Sequence, residues 1–417
     1  MHVVIIGNSD AGLSALEAFR KHDKTSKVTL ISKEGGIAYS RVLLPYYLRG
    51  KIDYDNFFIR KQSYYNQMNV KYIEAGVDQV DDQAKRLRLS TGETLNYDKL
   101  LICTGSRAMK PPIPGLDQEG VYHMWTLKDA EALASYFKEG NRVMVLGSGF
   151  VSLQAAWAAL YKGLDVHIIE LASRIMPTVL DQKGAQLLTD QIQKLGAKLS
   201  VETMTERVEK TPEGTFRVHT KGNEPFEVDF IIVGTGVRAN IGLVQETAVE
   251  TDRGILVNPY METTAKDIYA AGDVAQGPTT FGDKHMIHAL WPTAIEMGKV
   301  AGANMAGQTQ AYEGSLNMNT TQMFDVTVSS MGLFNDGMGD RVAVLDGEDF
   351  GSYGYVKIVY DGDHIVGITS IGSSDLVKLM GKLRPVIRKK QKVNLEPERL
   401  GAFLHLQIAN EASVMKI

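Results

Sequence analysis

One pattern occurs twice in this chain, 140 residues apart, and it leaves few folds open. The first copy runs from Val3-Val4-Ile5-Ile6 through Gly7-Asn8-Ser9-Asp10-Ala11-Gly12, a small-residue stretch from Leu13 to Phe19, and a second apolar run from Val28 to Ile31. The second copy runs from Val143 to Leu146 through Gly147-Ser148-Gly149-Phe150-Val151-Ser152, then Leu153 to Tyr161, then Val166 to Ile169. Short continuous apolar runs suit strands covered on both faces, and the helix-spaced residues after each make parallel βαβ units the expectation. The chain of 417 residues has room for about two to four such domains. Pro111-Pro112-Ile113-Pro114-Gly115 continues neither a helix nor a central strand, and it marks one domain crossing. A second crossing is placed near Gly234-Thr235-Gly236. Beyond about residue 315 the pattern changes: Tyr353 to Tyr360 and His364 to Ile371, joined by Asp361-Gly362-Asp363, read as an antiparallel hairpin of an α+β tail.

A glycine turn between strand and helix lets a backbone approach a pyrophosphate closely, while the helix start supplies unpaired N–H groups and partial positive charge. Gly147-x-Gly149-x-x-Ser152 keeps the two glycines that make the turn and admit the phosphate, and replaces only the helix-packing glycine by a small residue. Eighteen residues after Ser152 stands Glu170, an acceptor for an adenosine ribose that repels a 2′-phosphate, which favours NAD over NADP. In the first copy Ser9 replaces the middle glycine, so a β-carbon must be accommodated near the phosphate, and Glu34 is the expected ribose acceptor. A third segment, Ala270-Ala271-Gly272-Asp273, puts an acid after a strand end and ahead of a helix expected from Thr293 to Met305.

Composition narrows the chemistry. Apolar residues at 44% and charged residues at 23% describe a globular chain, and a net charge of −4 gives no pull toward nucleic acid. Cys103 is the sole cysteine, which excludes an intrachain disulfide, a C-x-x-C pair, a cysteine-ligated zinc and a self-contained iron–sulfur cluster. No signal peptide and no transmembrane run is readable, so a cytoplasmic location is expected. His285-x-x-His288 beside Asp283 is read as loop, not as a metal site.

The ordered signatures Gly7 to Gly12, Tyr39-Ser40-Arg41, Leu101 to Ser106, Pro111 to Gly115, Gly147 to Ser152, Glu170 with Arg174 and Pro177, Gly234 to Arg238, and Ala271-Gly272-Asp273 cover nearly the whole chain. In them the chain resembles the flavoproteins with two dinucleotide-binding domains, among them ferredoxin and rubredoxin reductases, the NADH-binding part of nitrite reductase and coenzyme A disulfide reductases. The resemblance implies an α/β chain with two Rossmann-like dinucleotide-binding domains plus a C-terminal α+β interface domain. FAD would occupy residues 1–112 and 243–315, NAD residues 113–242, and residues 316–417 would form an interface domain, giving a homodimer or hetero-oligomer. It further implies FAD held by Gly7, Ser9, Ala11, Gly12, Glu34, Arg41, Val77, Thr104, Gly105, Gly272 and Asp273, with Trp291 and Ala294 bordering the isoalloxazine. NAD(H) would lie on Gly147, Gly149, Phe150, Val151, Ser152, Glu170 and Gly236, its nicotinamide against the flavin so that the cofactors exchange hydride and the protein aligns them.

The departures sharpen the reading. Where the resembled disulfide reductases read Cys-Gly-Leu-Pro-Tyr-Tyr, this chain reads Val42-Leu43-Leu44-Pro45-Tyr46-Tyr47, with Val42 at the reactive cysteine's place. A lysine–glutamate pair of many relatives corresponds to Tyr46 and Gln154, which with Pro45 are the expected catalytic positions in an uncharged nicotinamide pocket. Ser9 and Leu43 to Tyr47 are similar to the flavoprotein subunits of multi-subunit dehydrogenases such as tungsten-dependent aldehyde oxidoreductase and phenylglyoxylate dehydrogenase. Three functions stay open: an electron-transfer subunit serving an iron–sulfur or metal-containing partner, a stand-alone NADH oxidase or NADH:acceptor reductase, and a non-catalytic flavin-binding assembly subunit. The basic run from Lys378 to Lys392 is a candidate docking face for an acidic partner.

Overall fold

The apolar runs fold as strands of two parallel sheets. The principal elements, in chain order, begin with β1 (His2–Ile6), α1 (Asp10–His22), β2 (Lys27–Ser32), α2 (Leu44–Leu48), β3 (Val70–Glu74), β4 (Lys99–Ile102) and β5 (Val121–Tyr122). They continue with β6 (Arg142–Leu146), α3 (Phe150–Tyr161), β7 (Asp165–Ile169), α4 (Gln182–Lys194), β8 (Lys198–Ser200), β9 (Thr205–Lys210), β10 (Phe216–Thr220), β11 (Phe226–Val228) and β12 (Phe230–Val233). The last are β13 (Ile268–Ala270), α5 (Trp291–Met305), β14 (Met318–Met323), β15 (Val326–Gly332), β16 (Arg341–Leu345), β17 (Gly354–Asp361), β18 (His364–Gly372) and α6 (Val377–Arg388). This computed structural model describes residues 1–282, 285–334, 339, 341–345 and 354–393.

Two compact units are present: Met1–Leu43, Ile52–Ala108 and Val237–Leu316 form the first, and Leu44–Lys51, Met109–Gly236 and Asn317–Ile417 the second. In the first, five parallel strands run in the order β13-β4-β1-β2-β3. Ile6 pairs with Ile31 and with Ile102, so the Gly7 turn, the loop carrying Glu34 and the turn at Thr104 all leave one edge of the sheet. Helices α1 and α5 cross at very close range because Gly298 and Gly302 lack side chains: a β-carbon would stand 2.3 Å from the Ala11 carbonyl oxygen and 2.1 Å from that of Ala15.

In the second unit the parallel order is β8-β7-β6-β12-β5, with an antiparallel sheet β9-β10-β11. Leu146 pairs with Ile169 and Val233, which again brings a glycine turn, an acid and Gly234 to one edge. Ser152 to Ala159 of α3 are all buried, as a helix covered on every side must be. The tail is α+β as expected: β14-β15-β18-β17-β16 form an antiparallel sheet, joined by α6. Tyr353 lies outside the described residues. A buried polar cluster ties this sheet to α4, for Asp181 caps that helix through Gly184 N (2.9 Å) and accepts from Tyr355 Oη (2.5 Å) and Lys357 Nζ (3.3 Å).

Candidate functional site

In the first unit Gly7 adopts φ 125°, and a β-carbon there would stand 2.1 Å from the Cys103 carbonyl oxygen. One on Gly12 would stand 2.0 Å from the Gly7 carbonyl. Both glycines are therefore demanded by the chain itself. Ser9 is the N-cap of α1 with extended backbone, and its side chain makes no capping bond to the first-turn amides. Asn8 donates to Tyr65 Oη at 2.8 Å and to the Gly36 carbonyl at 3.3 Å. Glu34 accepts from Tyr39 Oη at 2.5 Å and from Arg41, so its carboxylate sits in an ion pair. Val77 opens a short strand at the same unit's second sheet.

Thr104 and Gly105 are held by a residue the sequence did not advertise. Thr104 Oγ1 donates to the Asn240 carbonyl and Asn240 Nδ2 donates to the Thr104 carbonyl, each at 2.9 Å. Gly272, at φ 78°, packs on Ala11, where a β-carbon would come within 3.0 Å of the Ala11 methyl. Asp273 accepts from Ser106 Oγ at 2.9 Å. Burial pushes the Asp273 carboxyl up, and the Ser106 hydroxyl and Arg41 only partly oppose it. Burial likewise raises the carboxyl of Asp10, which the sequence reading had passed over. Helix α5 starts at Trp291, two residues earlier than expected, with Trp291 itself 55% exposed and Ala294 in its first turn.

In the second unit Gly147 takes φ 101° against the Gly234 carbonyl. Gly149 caps α3 at φ −74°, and a β-carbon there would meet nothing within 4 Å. Nothing among the described residues requires a glycine at 149, so the open space over the α3 amides fits a pyrophosphate. Phe150 and the exposed Val151 form the first turn of α3, and Ser152, replacing the packing glycine, donates to the Gly234 carbonyl at 2.7 Å. Gly236 at φ 107° ends that edge, its carbonyl bonded by Met109 N. Glu170 accepts from Ser148 Oγ at 2.5 Å and from Ala172 N at 2.7 Å, which orients it with no cationic partner among the described residues.

Pro45 and Tyr46 lie in α2, and Arg49 follows one turn on. Arg49 is 6% exposed, its guanidinium 4.5 Å from the Tyr46 ring centroid and 3.8 Å from that of Trp157 on α3. Position 46 is uncharged, yet this arginine sets a cation against the Tyr46 ring, held by aromatic faces. Gln154 turns its amide toward β14, donating to Thr321 Oγ1 and to the Gln322 carbonyl at 2.9 Å. Burial pushes the Cys103 thiol up, as suits a small core residue. No metal-binding group of three or more acids, histidines or cysteines exists among the described residues; His288 bonds Ser315, and Asp283 lies outside them. Lys378, Lys382, Arg384 and Arg388 of the basic run each have partners already. No helix among the described residues is long and apolar enough to cross a membrane.

Comparison with known proteins agrees with this geometry. The family model described as pyridine nucleotide-disulphide oxidoreductase matches residues 1–298. The epsilon subunit of NADH-dependent phenylglyoxylate dehydrogenase from Aromatoleum evansii is 30% identical over 363 residues, covering 86% of this chain and 85% of its own. An NADH oxidase from Methanocaldococcus jannaschii is 30% identical over 343 residues, 80% of this chain and 76% of its own. An NAD-dependent persulfide reductase from A. fulgidus superposes with TM-score 0.88 at 26% identity, over 100% of this chain and 84% of that one. Proteins of this kind are NAD(H)-dependent oxidoreductases that carry FAD. The chain thus belongs to the pyridine nucleotide-disulphide oxidoreductase family.

Proposed function

We propose that this chain is an electron-transfer subunit, exchanging hydride between NAD(H) and FAD and single electrons with an iron–sulfur or metal-containing protein. One observation carries the reading: Val42, at the place of the thiol that disulfide reductases use, is 58% exposed, while the sole thiol, Cys103, is buried. With no thiol relay, reducing equivalents leave the chain through a partner. Bound FAD supplies the coupling between two-electron hydride chemistry and one-electron steps. The residues do the holding: Ser9, Ala11 and the α1 amides take the flavin pyrophosphate, and Asp273, fixed by Ser106, accepts from its ribityl chain. Gly149 and the α3 amides take the NAD pyrophosphate, and Glu170 its adenosine ribose. The relative named as a dehydrogenase subunit supports the subunit reading.

The test is anaerobic mixing of the flavin-loaded chain with NADH, followed by air and by iron–sulfur proteins co-purified from native extract. Rapid bleaching by NADH, slow return in air and fast return with the co-purified protein are expected. Fast turnover with oxygen by the isolated chain favours the second reading, a stand-alone oxidase, which the archaeal relative's name supports.

A further inference from the structure

Arg49 is a buried cation without an anion. Its Nε donates to the Pro45 carbonyl at 3.3 Å, and no carboxylate pairs with it among the described residues, whereas Arg41 and Arg60 each hold a glutamate. Charges taken out of water are ordinarily paired. Here the Tyr46 and Trp157 rings hold the guanidinium instead. A ring face attracts a cation but carries no net charge, so the positive charge of Arg49 is not cancelled.

Two more cations converge on the same spot of the second unit. Gly50 ends α2 at φ 71°, its amide bonded to the Tyr47 carbonyl at 2.7 Å, and a β-carbon there would stand 3.2 Å from Lys162 Nζ. The glycine thus lets the lysine that caps α3 come close. Lys51 follows, its Nζ 4.8 Å from the ring centroid of Tyr161, the last residue of α3, which is 51% exposed. Tyr161 registers all three charges: Lys51, donating to its oxygen, and then Arg49 and Lys162 hold the phenol below the ordinary tyrosine range. Lys51 and Lys162 also lack a carboxylate partner among the described residues; Glu139 packs against Gly163 without pairing with either. A helix C-terminus favours one such cation, but three from two elements exceed that need. The chain as a whole has a net charge of −4, so this positive patch stands against the general balance.

Resting on the electron-transfer reading above, we propose that Lys51, Lys162 and Tyr161, underlain by Arg49, form the face on which an acidic redox protein docks. An exposed tyrosine ringed by uncancelled positive charge suits the acidic rim of a protein partner. A nucleic acid or an anionic membrane asks for a longer row of cations. Through its ring contacts Arg49 also joins this face to Tyr46, one of the expected catalytic positions. The experiment uses the flavin-loaded full chain and, as probe, rubredoxin, a small acidic iron protein. Affinity is measured by calorimetry with both proteins oxidised, and reoxidation of the NADH-reduced chain by stopped flow, each at low and high salt. Lys51→Glu combined with Lys162→Glu weakens binding by about tenfold or more at low salt and slows second-order reoxidation by a similar factor, and both differences close at high salt. Both lysines are exposed, so the variant folds, and its bleaching by NADH stays within about twofold of wild type. The same reversal at Lys389 and Lys390, in the basic run of the tail, leaves affinity and rate unchanged. Equal affinity of wild type and variant, including no binding by either, or a loss at Lys389 and Lys390 instead, overturns the inference while the electron-transfer reading stands. A wild-type chain that passes no electrons to rubredoxin yet turns over rapidly in air overturns both.

Discussion

The two glycine turns share a backbone plan and part company in how each holds its acid. In the first unit Glu34 is ion-paired with Arg41 and bonded by Tyr39, and Asn8 reaches past it to Gly36 and Tyr65. In the second, Ser148 donates straight to Glu170, and the other oxygen is met by the Ala172 N–H. Glu34 is paired with a cation; Glu170 is held by a hydroxyl and an amide. On the proposed assignment an ion-paired acid suits a resident flavin, whereas a carboxylate fixed by neutral donors sorts NAD(H) from NADP(H) at every binding event. The middle position of the turn differs in step: Ser9 stands at the start of α1, and a glycine whose added β-carbon would meet nothing within 4 Å stands at the start of α3.

The strongest challenge to that contrast is Gly149→Val. The site tolerates a side chain sterically, so the variant is expected to fold with a melting temperature within a few degrees of wild type and to retain flavin. Its NADH-driven flavin reduction falls by about a hundredfold or more. Gly7→Ala should yield little folded protein, since its β-carbon meets the Cys103 carbonyl; a folded, yellow Gly7→Ala would break the comparison. Next in size, Glu170→Ala lowers kcat/KM for NADH by about ten- to a hundredfold, leaves NADPH nearly unchanged and keeps flavin bound. Glu34→Ala should leave the ratio between the two nucleotides where it was, as steady-state assays with both will show. A smaller effect, about three- to tenfold in KM for NADH, is expected of Ser148→Ala, because Glu170 keeps one of its two donors.

The smallest effect concerns stability. The folded carboxyl of Asp273 titrates above its ordinary value, mainly through burial. Its favourable contribution is then full below about pH 4, the unfolded value, and is lost as pH rises through the folded one. Asp273→Asn, which mimics the protonated form, should raise the melting temperature of flavin-free protein at neutral pH. The gain should vanish near about pH 4, while flavin affinity falls. Calorimetry of flavin-free samples across pH checks the sign.

What the sequence made legible was whatever the backbone alone dictates. Gly7 and Gly147 announce themselves because their φ values of 125° and 101° exclude most residues, and Glu170 because it follows a strand whose register with β6 is set by its apolar run. Gly149 was legible for the opposite reason, as a glycine the fold has no use for. Illegible were roles that depend on partners far along the chain. Asn240 locks Thr104 across 136 residues, and Gln154 meets Thr321 across 167. Arg49 signalled nothing because its partners are aromatic faces, one of them on α3, and no carboxylate spacing betrays them. Residues 44–51 group with the second unit, and Leu44, Pro45 and Leu48 among them are buried, a placement that no local spacing announces.

The sealed sulfur at Cys103 has a practical side. Because the chain's one sulfhydryl lies in the core, a cysteine placed on any exposed face becomes the single handle for a maleimide dye or spin label. Distances from such a label to a metal centre in a docked protein can then be read one face at a time, without first stripping the molecule of reactive groups.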